Sequence, residues 1–316
     1  MTMPYFFILG LIVIFAQISS IIFLKSFLIY FLLTAAYALS WNLVGGICGQ
    51  YSFGHAVYAG IGSYLAAYVL NCGVTYFCLA IPMILLFNGI LGASLSFLSA
   101  RFKVEHAYFT LLTIAFLECM RIVFENIPYF NGVAGYYIIN NQLIDFLYHY
   151  FLYIAFFSVF VIFYILKRIM HSDFGKKCQI LERNKLAAES IGINPIKNFV
   201  LMMFYSSMMT SYIGIISIFY YKNLFPEYIF SQQRSMHMVL PALIGGAHPK
   251  GPIFGAFIVC AISECLDFML DAFDVEVGGL KQVLLGIILL CFVLLNIKLK
   301  KDAVRKDRVN TLNNMS

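Results

Sequence analysis

The chain has 316 residues, of which 62% are apolar or aromatic and 11% charged, with a formal net charge of +6. A soluble domain of this length needs a charged skin of roughly a quarter of its residues, so most of this surface must face something other than water. The basic residues sit in a few short loops between apolar runs, the pattern of membrane-protein loops, and this argues against nucleic acid as the partner of the positive charge.

Crossing roughly 30 Å of hydrocarbon takes about 20 apolar residues in a helix. The apolar runs are continuous rather than alternating, so helices and not a β-barrel are expected. The first run, Tyr5 to Leu24, lacks a basic leader and is long for a signal-peptide core, so it is expected to remain as a span. Further crossings are predicted at 27–44, 54–70, 74–98, 108–124, 143–166, 199–221, 236–247, 253–270 and 280–297. The segments 54–70 and 236–247 are short and glycine-flanked, and read as broken or re-entrant. The expected fold class is all-α, a polytopic transmembrane helical bundle of about 8–10 spans.

Charge orients these spans. The loop carrying Lys167, Arg168, Lys176, Lys177, Arg183, Lys185 and Lys197 is expected to be cytoplasmic, as is the tail with Lys298, Lys300, Lys301, Arg305, Lys306 and Arg308. An even number of crossings must separate them. The same alternation puts Arg101, Lys103 and Lys250 inside, and Glu125–Gln142 and Asp271 outside, with both termini inside. One transmembrane domain over 1–300 is expected, with a cytoplasmic loop at 167–198 and a basic tail at 301–316. The eight cysteines form no CxxC pair and lie mostly within apolar runs, Cys119, Cys260 and Cys291 among them. They read as small buried apolar residues.

Gly45 to Tyr64, GGICGQYSFGHAVYAGIGSY, holds six glycines together with Gln50, Ser52 and His55 in otherwise apolar sequence. Such groups are costly in lipid unless they line a cavity or let helices approach closely, and broken helices near the midplane are how many transporters build a solute path. Gly54, Gly60 and Gly62 could equally serve tight helix packing. Pro241 to Ala256 echoes the pattern, with Gly245–Gly246, a polar hairpin, and Gly251, Gly255 and Ala256. In the basic loop, Asn184 is suited to cap a short helix from Lys185 to Ile191 that Gly192 and Pro195 would end. Glu118 and Arg121 share a helix face and are expected to pair within the membrane.

No G-x-x-x-x-G-K-[ST] phosphate loop occurs, so ATP binding by this chain is not expected. No Cys/His cluster suggests a metal site, no cofactor is implied, and no G-x-S-x-G elbow accompanies Ser52 and His55. The chain does not read as an enzyme.

Together these stretches resemble the branched-chain amino-acid ABC transporter permeases, specifically the LivM-type subunit. The family's glycine-rich signature is matched by Asn42, Leu43, Gly46, Gly49, Ser52, Gly54, His55, Tyr58, Gly60, Gly62, Ser63 and Tyr64. Tyr108 to Gly132 is similar to its Y-F-x-x-x-T-L-A-F-x-E-x-x-R segment. Ala187, Ala188, Gly192 and Ile193 resemble its cytoplasmic A-A-x-x-x-G-I motif, and Gly245, Gly246, Gly251, Pro252 and Gly255 its second glycine segment. The likeness runs from about residue 27 to 297; the usual A-I-R start of the cytoplasmic motif reads QILERN here.

The resemblance implies a bacterial inner-membrane subunit of an ATP-driven importer. Its partners would be two cytoplasmic ATP-binding subunits, a second, LivH-like permease subunit and a periplasmic solute-binding protein. The implied solute path involves Gln50, Ser52, Gly54, His55, Gly60, Tyr64, Gly245 and Gly246, and the ATPase contact Lys185, Ala187, Ala188, Glu189 and Gly192. Small-to-large changes at Ala188 or Gly192 are then expected to uncouple transport from ATP hydrolysis. Alternatives are a permease for urea or short amides, a membrane-embedded enzyme using His55, and a stand-alone channel or carrier.

Overall fold

The computed structural model describes residues 3–18, 21–102, 104, 106–139 and 142–273, with isolated positions between 279 and 290. The predicted span 280–297 and the tail 301–316 lie outside the described residues, apart from those isolated positions. The chain divides into two units, Met1–Phe257 and Ile258–Ser316.

Apolar runs become helices along the described chain because a helix satisfies every backbone group within its own segment, which lipid demands. In chain order these are α1 (Met3–Ile18), α2 (Ile22–Asn42), α3 (Ala56–Cys72), α4 (Val74–Arg101), α5 (His106–Asn126), α6 (Gln142–His149), α7 (Phe151–His171), α8 (Asp173–Arg183), α9 (Lys185–Ser190), α10 (Pro195–Tyr221), α11 (Pro226–Ile229), α12 (Gln232–Gly245) and α13 (Gly251–Ala272). A π-helical turn, Leu43–Ile47, extends α2. Six of the described helical segments are long and apolar enough to cross a membrane: 22–47, 74–101, 107–126, 151–171, 195–221 and 251–272. Leu9–Ile18 and Ala56–Cys72 are shorter apolar helices. The chain is an all-α multi-pass membrane protein.

One boundary and the burial of several cysteines depart from the sequence reading. The predicted span 143–166 is interrupted at Tyr150, separating α6 from α7. Asp145 on α6 pairs with Lys222 at the end of α10 at 3.1 Å, and the Lys222 ammonium lies 5.0 Å from the Tyr148 ring centroid, so α6 has its own contacts with the end of α10. The cysteines are also mixed. Cys48, Cys178 and Cys260 are buried, whereas Cys72, Cys78, Cys119 and Cys265 are exposed, as suits a thiol on a lipid-facing helix.

The centre of the first unit is α10 with α2. Their most apolar windows are 67% and 61% buried, against 22% for α4 and α5, whose outer faces are left for lipid. Small residues bring the backbones together at α10. A Cβ on Gly62 of α3 would sit 2.6 Å from Ser211 Oγ, one on Gly92 of α4 would sit 2.5 Å from Ser207 Oγ, and one on Gly214 would collide with the Ala59 carbonyl. Helices in lipid gain little from apolar burial against one another, so close approach and interhelical hydrogen bonds take its place. Ser63 Oγ contacts the carbonyls of both Ala59 and Gly214, and Asn88 donates to Ser211 Oγ at 3.0 Å.

The element ends sort into two faces. On one, the ribbon β1 (Tyr136–Tyr137) and β2 (Asn223–Leu224) pairs antiparallel, with Tyr136 opposite Leu224. Asn71, near the end of α3, joins it through Tyr136 Oη at 3.0 Å and the Tyr137 carbonyl at 3.1 Å. On the other face, Gly49 after the π-turn lies against Glu182 of α8, and Ser96 near the end of α4 donates to Gln50 Oε1 at 3.4 Å.

Candidate functional site

The sequence between α2 and α3 is a break in a membrane-embedded helix pair, and its local chemistry explains why it holds. Gly45 and Gly46 occur where the helix loosens into the π-turn. A Cβ on Gly45 would overlap the Trp41 ring, and one on Gly46 would overlap the Asn42 side chain. Gly49 then takes φ +70°, the left-handed conformation glycine adopts freely. The loosened backbone is caught by neighbours: Gln50 N–H donates to the Val44 carbonyl at 3.0 Å, and Trp41 Nε1–H to the Ser52 carbonyl at 2.6 Å. Thr113 Oγ1 receives Phe53 N–H at 3.0 Å, and Thr110 Oγ1 donates to the Tyr51 carbonyl at 2.8 Å. Gly54 lets this strand-like stretch touch α5, since a Cβ there would meet the Thr113 carbonyl.

His55 is the hub of a buried polar chain across three helices. Ser206 Oγ of α10 donates to the Ser40 carbonyl of α2 at 2.7 Å. Its one proton being used there, Ser206 can only accept from His55 Nε2–H, at 2.9 Å. The other ring nitrogen, Nδ1, then accepts from the Ser52 hydroxyl at 3.0 Å. Ser40 Oγ continues the chain to Thr210 Oγ1 at 2.9 Å, and Thr210 donates to the Ser206 carbonyl at 2.9 Å. All five side chains are fully buried. From α12, Ser235 Oγ receives Ala56 N–H, the first free donor of α3, at 3.2 Å.

The second glycine segment is built on the same plan. Pro241 lies inside α12, and Gly246, at φ +74°, ends that helix with its N–H on the Ala242 carbonyl at 2.9 Å. Gly245 and Gly251 touch backbone to backbone across the hairpin, and Gly255 abuts the Pro241 carbonyl. The two segments meet: Asn42 Nδ2 donates to the Ala247 carbonyl at 3.4 Å, and a Cβ on Gly46 would come within 3.3 Å of Ala247 Cα. Trp41, Ala38, Val239 and Ala242 form one core cluster with Phe53 packed on it.

Of the residues singled out from sequence, Ser52 and His55 join the polar chain to α10, Gly54 abuts Thr113 of α5, and Gln50 is buried against α4. Gly60 is packed under the Phe230 ring. Tyr64 sits higher, donating to the Leu224 carbonyl at 2.8 Å among Phe124, Phe130 and Phe230. Gly245 and Gly246 lie at the hairpin that adjoins Gly46. Tyr51 is 40% exposed and stacks on Trp41 with ring centroids 6.2 Å apart, so the segment also presents one side chain outward. Arg121 bridges Glu118 at 2.8 Å and Glu125 at 2.7 Å, a partly exposed run of charge along α5. Ser40, Ser206, Thr210, Thr113 and Ser235 were not singled out from sequence. The small-residue spacing Ser206, Ser207, Thr210, Ser211, Gly214 marks α10 as a close-packing helix, without marking which of its hydroxyls reach across to His55.

The basic loop folds as two capped helices. Ser172 Oγ accepts from Gly175 N–H at 3.2 Å to start α8, and Asn184 Oδ1 from Ala187 N–H at 3.0 Å to start α9. Gly192, at φ +82°, closes α9 with its N–H on the Glu189 carbonyl and Ile193 N–H on the Ala188 carbonyl, both 3.0 Å, the Schellman pattern. Ala188 is buried within its own chain, while Lys185, Ala187, Glu189 and Gly192 face outward beside Leu186, 79% exposed, and Ile191, 67% exposed.

Among the described residues no group of His, Cys, Asp and Glu could hold a metal ion. No curated protein and no solved structure matches the chain. The model of the family described as "Branched-chain amino acid transport system / permease component" matches residues 23–293, which takes in both glycine segments, the polar chain through His55 and the capped loop: the chain belongs to that family of transport permeases.

Proposed function

We propose that the chain is the membrane-spanning subunit of an ATP-driven importer carrying branched-chain or other apolar amino acids across the bacterial inner membrane. The observation that carries the reading is mechanical. α9 offers an outward apolar surface, Leu186 and Ile191, on an otherwise basic loop. The adjoining α8 touches Gly49, at the start of the broken segment, through Glu182. A push on α9 therefore has a short, packed route to Gln50, Ser52 and His55. Two ATP-binding subunits dock on the loop between Phe174 and Lys197, which is cytoplasmic, as are both termini. A second permease subunit completes the corridor, and a periplasmic binding protein delivers the solute. The corridor is lined from Gln50 to Tyr64 and at Gly245 and Gly246, apolar walls with a few polar groups for the zwitterion.

Reconstitution tests this. Proteoliposomes holding this chain, its partner permease and the ATP-binding subunits should take up labelled leucine only with ATP inside and binding protein outside. Uptake of leucine by this chain alone, or its chemical conversion, would overturn the reading. ATPase activity stimulated by urea or acetamide and not by leucine would favour the amide permease instead.

A further inference from the structure

Beneath the capped loop lies a groove of about 850 Å³ between the end of α7, the start of α8 and the start of α10. Its lining includes Arg168, Lys177 and Lys197 and no carboxylate. None of the three cations has an ion-pair partner among the described residues; Asp173, nearest in sequence, is 3.6 Å from Lys176 instead. Three unpaired cations facing one cavity repel each other, so the groove is matched to an anion. Its deeper wall is different in kind. Asn198, Leu201 and Tyr205 line it at helical spacing along α10, which carries the wall about 12 Å from Lys197 into the membrane-crossing helix. Phe174 packs on Tyr205, ring centroids 6.4 Å apart. On α7, the turn before Arg168 shows Tyr164 and Ile165 to the surroundings.

We infer that this groove binds an anionic phospholipid, with the headgroup phosphate among Arg168, Lys177 and Lys197 and an acyl chain along Leu201 and Tyr205. A free anion would use the cations and have no need of the apolar wall; a neutral lipid would use the wall and leave the cations unmatched. Only an amphiphile with a negative head satisfies both ends, and basic pockets at the ends of transmembrane helices are suited to such lipids. The bound lipid would brace α8 against α10, and this site goes beyond the transport reading: it stands or falls without reference to the solute.

The experiment is native mass spectrometry of the full-length protein in detergent with added dioleoyl phosphatidylglycerol, and separately dioleoyl phosphatidylcholine. Wild type should retain phosphatidylglycerol and not phosphatidylcholine, with millimolar inorganic phosphate failing to displace it. The triple variant Arg168→Gln/Lys177→Gln/Lys197→Gln should bind on the order of a hundredfold more weakly, and the single Lys197→Gln a few-fold. Arg183→Gln/Lys185→Gln, outside the groove, should bind as wild type. Equal retention by the triple variant, equal retention of phosphatidylcholine, or displacement by inorganic phosphate would each overturn the site. So would a triple variant that keeps the lipid but no longer binds the ATP-binding subunits, since the groove would then belong to them. Should the triple variant not fold, the contrast between Lys197→Gln and the Arg183/Lys185 pair decides it.

Discussion

At the scale of single residues, the broken segment depends on polar groups satisfied where no water reaches. Removing the His55 imidazole takes the acceptor from the Ser52 hydroxyl and one donor from the Ser206 oxygen, which keeps its bond to the Ser40 carbonyl, at a cost of about 1–3 kcal/mol. His55→Ala should therefore lower the melting temperature of the purified protein, and His55→Gln, which keeps one donor and one acceptor, should recover part of the loss. Unchanged melting of His55→Ala would mean the chain from Ser52 to Thr210 contributes little. Glycines test the packing side of the same segment. Gly54→Ala and Gly214→Ala drive a methyl into the carbonyls of Thr113 and Ala59 and should each destabilise by about 1–3 kcal/mol, whereas Gly10→Ala, with nothing nearer than 3.5 Å, should not. Thermal unfolding followed by the fluorescence of Trp41, the chain's one tryptophan, reads out both sets. What was legible here was the unusual residue: a histidine and six glycines stand out in an apolar run. The serines and threonines that satisfy the histidine were not legible, because a hydroxyl on an apolar helix is cheap when it bonds its own preceding carbonyl, as Ser207 and Ser217 do. Nothing local marks the ones that reach across.

At the scale of elements, the capped loop was the most readable part. Asn184 and Gly192 are chemical punctuation for helix start and stop, and α9 lies between them, one residue shorter than predicted from the sequence. The orientation of α9 was not readable, because six residues carry too little apolar periodicity to say which side turns inward. Ala188 faces its own chain, so Ala188→Trp should act by unseating α9 and lower stability. The docking surface proposed for α9 consists of Leu186 and Ile191, both exposed. Leu186→Asp should leave melting unchanged and abolish co-purification with the ATP-binding subunits; normal co-purification would remove α9 from the contact. The break at Tyr150 was likewise hidden: no glycine or proline marks it, and the Lys222 contacts of α6 come from a residue distant in sequence.

At the scale of the whole molecule, apolar runs foretold an all-α multi-pass protein, and the orientation read from loop charge is a prediction for experiment. Asn71, β1 and β2 share one face, opposite Gly49, Glu182 and the end of α4. Alkaline phosphatase fused after Asn131 should be active, as an external reporter, and inactive when fused after Asn184. The reverse pattern would invert the assigned orientation.

In the proposed mechanism the Gly45–Tyr64 break borders the solute corridor and changes exposure as the ATP-binding subunits close. Tyr51 is its outward side chain. In the reconstituted complex, with the native cysteines replaced, Tyr51→Cys should react with a membrane-impermeant thiol reagent at clearly different rates without nucleotide and with ATP and vanadate trapped. A rate that is the same in both states, or no reaction in either, would contradict the account.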